Sequence, residues 1–369
     1  MPILLAKQGE RIGLGRLDPT VRDLITPYLR IVPPELRRKD ADAAPPEEIV
    51  RLARVLGDQA AYLDAVGAPR RDRRASPLGA AYVRDIYEAA EAADMAYVPV
   101  YPFGRSDLAS TIVGFASEAL GAAFLLRAED AVTWGGGRLR DRIRDEVRSL
   151  GIEPSRLDVI VDLGYLADGA DDPASTIWLV REVTAAVPWR TLILAGTSIP
   201  DSVAREIPDD SLNGIERREH ALFATVQAAV NEPLRFADYG IQHPVPPTPN
   251  PVPQMRASIR YTSGAFTYVS RGGRPLGEIA SDDRPSEYRE VAARLRDHPQ
   301  FAVGACCWAD QFIEELADGR RIARAQHSMR AVATCHHITV VAAERSASPL
   351  PARPARRRES VSSPVPTSR

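Results

Sequence analysis

The sequence predicts an α/β protein built as a (β/α)8 barrel of the TIM type, and two regularities support this prediction. Eight short apolar runs, rich in residues that favour strands, recur at residues 2–6, 28–32, 96–101, 122–126, 157–161, 191–195, 234–237 and 257–261. Most are continuous in apolar residues, which is typical of parallel strands buried on both faces. Segments with helical spacing lie between them, at 49–66, 106–120, 139–150, 175–187 and 215–231. Eight strands joined mostly by helices favour a closed barrel.

An open, doubly wound α/β sheet is the alternative architecture. Such sheets usually carry a glycine-rich phosphate turn directly after the first strand. Here the first strand is followed by Lys7, Gln8, Gly9 and Glu10, without the GxGxxG spacing. The start of the chain therefore favours the barrel.

Several segments carry signals for their boundaries. Ser106 and the Asp172-Pro173 pair stand where helices are expected to begin. A proline-rich loop at 243–254 separates strands seven and eight, and it should be stiff and lie over one mouth of the barrel. Strand eight continues into a hairpin across 261–269, and extra helices follow at 306–317 and near 338–343. The Ser-, Pro- and Arg-rich tail, 346–369, is predicted to be disordered, which leaves 1–345 as one domain.

The composition limits the classes of function. The chain has 369 residues, of which 44% are hydrophobic and 26% charged, and its net charge is -2. A nearly neutral chain is not built broadly for nucleic-acid phosphates. The three cysteines, Cys306, Cys307 and Cys335, lack metal-ligand spacing and indicate a reducing compartment. With no apparent signal peptide and no apolar run of membrane-spanning length, we expect a cytoplasmic protein that does not associate with membranes.

Polar residues at the predicted strand ends are the first candidates for a site. They are Lys7, Arg127, Asp162, Thr197, Asp238 and Arg260. In TIM barrels the carboxyl ends of the strands meet at the mouth that carries the active site. Lys7 also stands out because lysine occurs only at positions 7 and 39 of an arginine-rich chain, and an ammonium differs from a guanidinium in shape and in how readily its pKa shifts.

These charges have two functional interpretations and one structural interpretation. In both functional forms Lys7, Arg127 and Arg260 hold an anion such as a phosphate. In the first, Asp162 or Asp238 is the general base. In the second, the two carboxylates share a divalent cation such as Mg²⁺. The structural alternative is that the charges neutralise one another inside the barrel mouth, and the sequence does not separate these possibilities.

Further candidates come from histidines and aromatic residues. His336 and His337 are adjacent, so on a helix they point about 100° apart and do not easily face one metal ion. One of them is either a capping or packing residue or an acid or base at the mouth. Trp308 is either a packing anchor or a stacking platform, and Tyr239 either lines the pocket or caps its strand.

The order of short motifs resembles a known family. They are Lys7-Gln8-Gly9-Glu10, Val161-Asp162-Leu163, Asp238-Tyr239-Gly240, Ser258-Ile259-Arg260-Tyr261-Thr262, the 307–313 segment that begins Cys307-Trp308, and His336-His337-Ile338-Thr339-Val340. Together they resemble the phage beta-protein family of T-even-like phages, prophages and bacterial genomes, over about residues 1–345. The resemblance adds Glu10, Tyr261 and Trp308 to the ligand-binding candidates. The family's closing motif carries a tryptophan before its arginine and an asparagine before its histidines, whereas this chain has Met329 and Cys335 there.

The resemblance implies a genetic context of phages and host defence, but no established reaction. The combined expectation is a small anionic, phosphate-bearing ligand at the barrel mouth, with hydrolysis or transfer at a phosphoester as the activity. In this scheme the catalytic residues are Asp162 and Asp238, together with His336 or His337. The alternative is a non-enzymatic phage or host-defence component that binds a protein partner through the proline-rich loop and the C-terminal helices. Nucleic-acid binding through the arginine clusters is the weakest of the three hypotheses.

Overall fold

Eight parallel strands form the central sheet of the computed structural model, which describes residues 1–32, 45–66, 79–132, 136–167, 172–245, 255–301, 306–323 and 325–346. The strands are β1 (Ile3–Leu4), β2 (Tyr28–Arg30), β3 (Ala61–Asp64), β4 (Tyr97–Pro102), β5 (Ala122–Arg127), β6 (Leu157–Tyr165), β7 (Thr191–Thr197) and, after one strand outside this sheet, β9 (Leu234–Asp238). They are hydrogen-bonded in chain order, and a parallel bridge between Pro2 and Asp238 brings β9 back to β1. The sheet is therefore nearly closed, and the predicted TIM-barrel-like α/β fold is confirmed.

Helices surround this sheet. They are α1 (Gln8–Gly15), α2 (Pro19–Asp23), α3 (Pro45–Leu56), α4 (Ala80–Ala92), α5 (Ala109–Gly114), α6 (Ala128–Val132), α7 (Gly136–Leu150), α8 (Pro173–Ala186) and α9 (Arg218–Ala229). The predicted start at Asp172 is confirmed, because its carboxylate accepts hydrogen bonds from the N–H groups of Ala174 and Ser175. At Ser106 a 3₁₀ turn comes first and α5 follows, ending at Gly114 rather than 120.

The predicted helix at 49–66 is wrong in its last part, because residues 61–64 form the third barrel strand. The helix ends at Leu56, Gly57 adopts a left-handed conformation with φ of 58°, and the chain then enters β3. All four residues of β3 are buried. Seven of the eight predicted strands belong to the barrel. Its remaining strand is β3, which was not predicted.

The predicted eighth strand, 257–261, belongs to a second sheet. This sheet is antiparallel, in the order β10 (Arg256–Ser263), β11 (Phe266–Pro275) and β8 (Ser211–Glu216). The hairpin prediction is confirmed, since Ser263 pairs with Phe266 across a turn in which Gly264 has φ of 54°. Along 257–261 buried residues alternate with partly exposed ones, as expected of a strand with one face toward solvent rather than of a barrel strand.

Three further helices complete the described chain: α10 (Arg284–Arg296), α11 (Trp308–Ala317) and α12 (Gln326–Arg345). They confirm the predicted C-terminal helices. The proline-rich segment follows the last barrel strand instead of separating strands seven and eight, and its residues 246–254 lie outside the described residues, as does 347–369 of the predicted tail. None of the helices in the described ranges is long and apolar enough to cross a membrane.

Helix α12 packs against α1 at very short range. A Cβ added to Gly9 would lie 2.8 Å from the His327 carbonyl oxygen, and one added to Gly13 would lie 2.7 Å from that of Ala331. Real Cβ contacts are not this short, so only glycine fits at these two positions. The pair of glycines therefore permits the close contact between the two helices.

Two groups of buried residues define the inside and the outside of the barrel wall. The interior group contains Ile3, Tyr28, Tyr62, Val98, Val100, Ala123, Leu125, Ile160, Ile193, Ala195, Ala237 and Tyr239. The outer group contains the alternate strand residues, such as Phe124, Val161 and Leu194, packed against the helices. Because side chains alternate along a strand, Arg127 and Asp162 continue the interior set of their strands, whereas Asp238 lies on the outer side.

Candidate functional site

An ionic network around Arg30 fills the interior of the mouth, where the strands end. Arg30 is 1% exposed, and its Nε lies 3.3 Å from Asp64 Oδ2 while its Nη2 lies 3.7 Å from Asp162 Oδ2. The Tyr28 hydroxyl donates to Asp64 over 2.8 Å, and the Tyr239 hydroxyl donates to Asp162. One cation and two phenols thus stabilise two carboxylates that would be costly to bury alone.

Two aromatic rings lie close to the Arg30 guanidinium. The Arg30 carbon Cζ lies 5.5 Å from the centre of the Tyr28 ring and 5.1 Å from that of Tyr239, within cation–π range. Burial disfavours the charge on Arg30, but the surrounding tyrosines and carboxylates outweigh it and keep its pKa above the usual range. Burial also raises the pKa of Tyr239, so this phenol stays protonated and donates. Of the charges predicted at the strand ends, only Asp162 belongs to this network, and its partners are Arg30 and Tyr239.

Asp238 occupies a separate environment on the outside of the barrel wall. Its Oδ2 lies 3.0 Å from Nε2 of His337 on α12, and Nδ1 of the same histidine lies 2.8 Å from the Thr262 hydroxyl. Burial raises the pKa of Asp238, but the His337 charge and hydrogen bond outweigh it and lower that pKa to about 2. Asp162 and Asp238 have different partners on opposite faces of the wall. The structure does not bring them together, which argues against a cation shared by both.

The other predicted histidine, His336, lies outside the mouth, as do two of the aromatic candidates, Tyr261 and Trp308. His336 Nε2 is 2.8 Å from the Thr262 carbonyl oxygen, and its ring stacks on Tyr261 with centroids 3.8 Å apart. Trp308, the first residue of α11, packs edge-on against Phe312 and under the Arg16 guanidinium. Tyr261 and Trp308 therefore make packing contacts. Both histidines contact Thr262, but their other nitrogens face different carboxylates, Asp310 for His336 and Asp238 for His337.

A small polar cavity of about 110 Å³ lies beside the mouth. Its walls come from the segments that follow β7 and β9, from β10 and from the first turns of α12. The polar residues that line it are Asp201, Gln242, His243, Ser258, Arg260, Gln326 and Arg330. Loops after the last two barrel strands, combined with a helix N-terminus, often form phosphate sites in this fold class.

Two arginines dominate the electrostatics of this cavity. Burial and the nearby Arg330 charge lower the pKa of Arg260 to about 10. Arg260 donates one hydrogen bond to the Ile241 carbonyl oxygen. Within the described part of the chain, no carboxylate lies within 4.0 Å of the side-chain nitrogens of Arg260 or Arg330. Two like charges therefore share the cavity wall without an ion-pair contact to a described carboxylate, although the Asp201 side chain also lines the cavity.

Glu10 joins this cavity to the end of β1. It is 2% exposed, and burial raises its pKa although Arg330 acts in the opposite direction. Its carboxyl group accepts from the Gln242 amide and, over 3.3 Å, from the Lys7 backbone N–H. Lys7 itself is the N-cap residue of α1 and does not line the cavity.

Arg127 lies elsewhere in the mouth. It is paired in register with Asp162 across β5 and β6, and its buried Nε makes no hydrogen bond to a described residue. It does not line the cavity. Of the three basic residues expected to hold an anion together, Arg260 lines the cavity, whereas Lys7 and Arg127 do not.

A larger cavity of about 490 Å³ opens at the amino ends of β1, β2 and β9. Phe223, Phe236 and Val341 contribute apolar walls, and the Asp238–His337 pair lies at its end. This is the face opposite the one where barrel enzymes of this class carry their chemistry. The small polar cavity is therefore the stronger candidate site.

Several residues of these sites were not predicted from the sequence. Arg30 lies within the apolar run at 28–32, and Asp64 lies within the predicted helix at 49–66. Gln242 and Gln326 carry no local signal. Arg330 is the arginine of the closing motif and was not a candidate in its own right. A search for charges inside the predicted strands, and not only at their ends, would have found Arg30.

Comparison with known proteins agrees with the resemblance drawn from the motifs. The model of the family described as Beta protein matches residues 1–343. No match was found among curated proteins. The matched region contains the whole barrel, the antiparallel sheet and most of α12. The chain therefore belongs to the Beta protein family.

Proposed function

We propose that this protein binds a small oxyanion, such as the phosphate group of a larger ligand, in the cavity between Arg260 and Arg330. The observation that carries the proposal is the pairing of two arginine charges in the wall of one cavity, with no described carboxylate in ion-pair contact with either. Charges placed this way are unfavourable in an empty pocket and favourable around an anion. Arginine suits the role because its planar fork donates two hydrogen bonds to phosphate oxygens.

The size and the other donors of the cavity support the same ligand class. A volume of about 110 Å³ accepts a tetrahedral oxyanion, whereas pockets for whole drug-sized molecules measure roughly 300–1,000 Å³. The Gln326 amide donates to both the carbonyl and the hydroxyl oxygen of Ser258 over 3.1 Å. The Ser258 hydroxyl proton is thereby directed away from Gln326 and is available to a ligand oxygen.

A hydrolase or transferase acting on a phosphoester is the catalytic form of this proposal. It requires a general base at the cavity. Asp201 and His243 line the cavity and are the groups suited to this role. Asp162 is less suited, because Arg30, Tyr239 and the Gly164 N–H already occupy its oxygens.

Thermal unfolding with inorganic phosphate, pyrophosphate or sulfate tests the binding step. Ligand at about 100 times Kd stabilises the native state by about 2.7 kcal/mol, which raises the Tm of a protein of this size by a few degrees. Sodium chloride at matched ionic strength is the control for screening. We expect a rise with at least one oxyanion, beyond that with chloride.

Two variants locate the bound anion. Arg330→Gln should abolish the rise, because Arg330 makes no hydrogen bond to a described residue and its loss mainly removes cavity charge. Arg127→Gln is the matched control, since it removes a half-buried arginine of the same mouth outside the cavity, and the rise should persist. No rise with any oxyanion, or a rise that Arg330→Gln retains, would contradict the proposal.

A further inference from the structure

Four potential metal ligands converge where α11 meets α12, away from the cavity described above. Cys306 and Cys307 directly precede α11, Asp310 lies in its first turn, and His336 comes from the middle of α12. One ligand atom from each residue lies within 4.8 Å of all the others. The spacing of the cysteines in the sequence carries no sign of this cluster, because its fourth member comes from a helix that is remote in sequence.

The internal distances approach those of a tetrahedral site. Cys306 Sγ lies 2.7 Å and Cys307 Sγ 3.4 Å from Asp310 Oδ2, so both thiols reach the same carboxylate although they are adjacent in sequence. His336 Nδ1 lies 2.9 Å from Asp310 Oδ1 and 4.0 Å from Cys307 Sγ. In tetrahedral zinc sites, metal–ligand bonds of roughly 2.0–2.3 Å separate the ligand atoms by about 3.3–3.8 Å. Shifts of about an ångström would therefore complete the geometry.

The surroundings of His336 prepare one ring nitrogen for a metal. Its Nε2 lies 2.8 Å from the Thr262 carbonyl oxygen, which can only accept, so Nε2 carries a proton and donates. The Tyr261 ring stacks on the imidazole at 3.8 Å and fixes its plane. Nδ1 is left facing Asp310 and Cys307. A histidine bound to a backbone carbonyl through one nitrogen is the usual outer support of a histidine that ligates through the other.

A second observation concerns Asp310. Its side chain is 0% exposed, with Oδ2 accepting from both thiols and Oδ1 lying 2.9 Å from Nδ1 of His336. All the polar contacts of this buried carboxylate are therefore to the other three members of the cluster. A cation at the centre would take the place of the protons that they now share.

We propose that Cys306, Cys307, Asp310 and His336 form a tetrahedral site for a divalent transition metal of the zinc class. The mix of two sulfur, one nitrogen and one oxygen ligand suits Zn²⁺ better than Mg²⁺ or Ca²⁺, which prefer oxygen alone. Binding forms four bonds to the metal and releases to solvent the two thiol protons and any proton on His336 Nδ1. With four protein ligands the site is of the structural kind, and it joins α11 to α12.

The metal content of the full-length chain tests this proposal. The protein is expressed with zinc in the medium, purified without chelators and dialysed, and zinc is counted by mass spectrometry. We expect about one zinc ion per chain, as in structural four-ligand sites. Cys307→Ser and His336→Gln should each lower the affinity by at least a hundredfold.

Cys335→Ser is the matched control. It removes the third thiol, which is buried beside the cluster and donates to the Arg16 carbonyl oxygen over 3.6 Å but is not one of the four ligands. This variant should keep its zinc. Because a ligand variant can fail to fold, wild-type chain stripped of zinc is also titrated with Co²⁺, and cobalt–thiolate absorption bands should appear and saturate at one equivalent.

Three outcomes would overturn the site. In the first, the wild-type chain holds substoichiometric zinc and gives no cobalt–thiolate bands. In the second, Cys307→Ser and Cys335→Ser retain equal amounts of zinc. In the third, Cys306 and Cys307 resist alkylation until a reductant is added. The last result would mean that the thiols form a disulfide instead. None of these measurements uses the oxyanion cavity, so the two proposals stand or fall separately.

Discussion

Replacing Arg30 with methionine would remove the cation that stabilises two buried carboxylates at the barrel mouth. The guanidinium is 1% exposed, with Nε 3.3 Å from Asp64 and Nη2 3.7 Å from Asp162, and it also donates to the Tyr239 hydroxyl over 3.2 Å. Methionine fills part of the same space but supplies no charge and no donor. Removing one partner of a buried ion pair costs about 3–5 kcal/mol, because the remaining charge is left uncompensated. We expect a loss of this size here, against a total stability of about 5–15 kcal/mol for a typical domain.

Urea unfolding followed by circular dichroism measures the effect. The midpoint should fall while the denaturant slope stays unchanged, because the surface exposed on unfolding is the same. Adding Asp64→Asn to Arg30→Met should restore part of the lost stability, since one uncompensated charge is removed. Arg148→Met, which breaks an exposed pair with Asp145, should have little effect. If Arg30→Met loses less than about 1 kcal/mol, or if Asp64→Asn worsens it, the charges are not coupled as the distances indicate.

Two other perturbations test the packing and the pH dependence of the fold. Gly13→Ala would place a Cβ 2.7 Å from the Ala331 carbonyl oxygen, so we expect the free energy of unfolding in urea to fall by about 1–3 kcal/mol. Gly15→Ala on the same helix is the control, because its nearest contact is at 3.5 Å, and it should be neutral or slightly stabilising. Equal effects of the two variants would refute the close contact between the helices. The pKa of Asp238 is lowered from 3.8 to about 2 by His337 against the effect of burial, so its contribution of about 2 kcal/mol is present above pH 4 and is lost as the pH falls through 2. Asp238→Asn should flatten the stability profile between pH 4 and pH 2, and an unchanged slope there would contradict the pairing.

The barrel was predictable because parallel strands buried on both faces leave continuous apolar runs. The strand at 61–64 escaped this criterion, since it has only four residues and follows a helix whose apolar spacing continues into it. The segment at 257–261 shows the opposite error. Its apolar and polar residues alternate in the sequence, which indicates a strand exposed on one face, and it lies in the antiparallel sheet.

The candidate sites were predictable only in part. Arg260 was identified because it stands near the end of the predicted strand 257–261, although it lies inside β10, and the cavity that contains it also contains Arg330. The mutual arrangement of Asp162 and Asp238 was not predictable, because the face on which a side chain lies depends on strand register. The cluster of Cys306, Cys307, Asp310 and His336 depends on how α11 packs against α12, and local spacing carries no signal for it.

The contact between α1 and α12 has a consequence for the order of folding. The Cys335 thiol donates to the Arg16 carbonyl oxygen across 319 positions of sequence, and the bridge between Pro2 and Asp238 closes the barrel over a similarly long loop. Contacts this remote form only after the cost of closing a long loop has been met. During synthesis, the free edge of β1 must therefore stay uncovered until β9 has left the ribosome, and the glycine face of α1 must stay uncovered until α12 has. That interval is when the chain would be most exposed to aggregation and most dependent on chaperones.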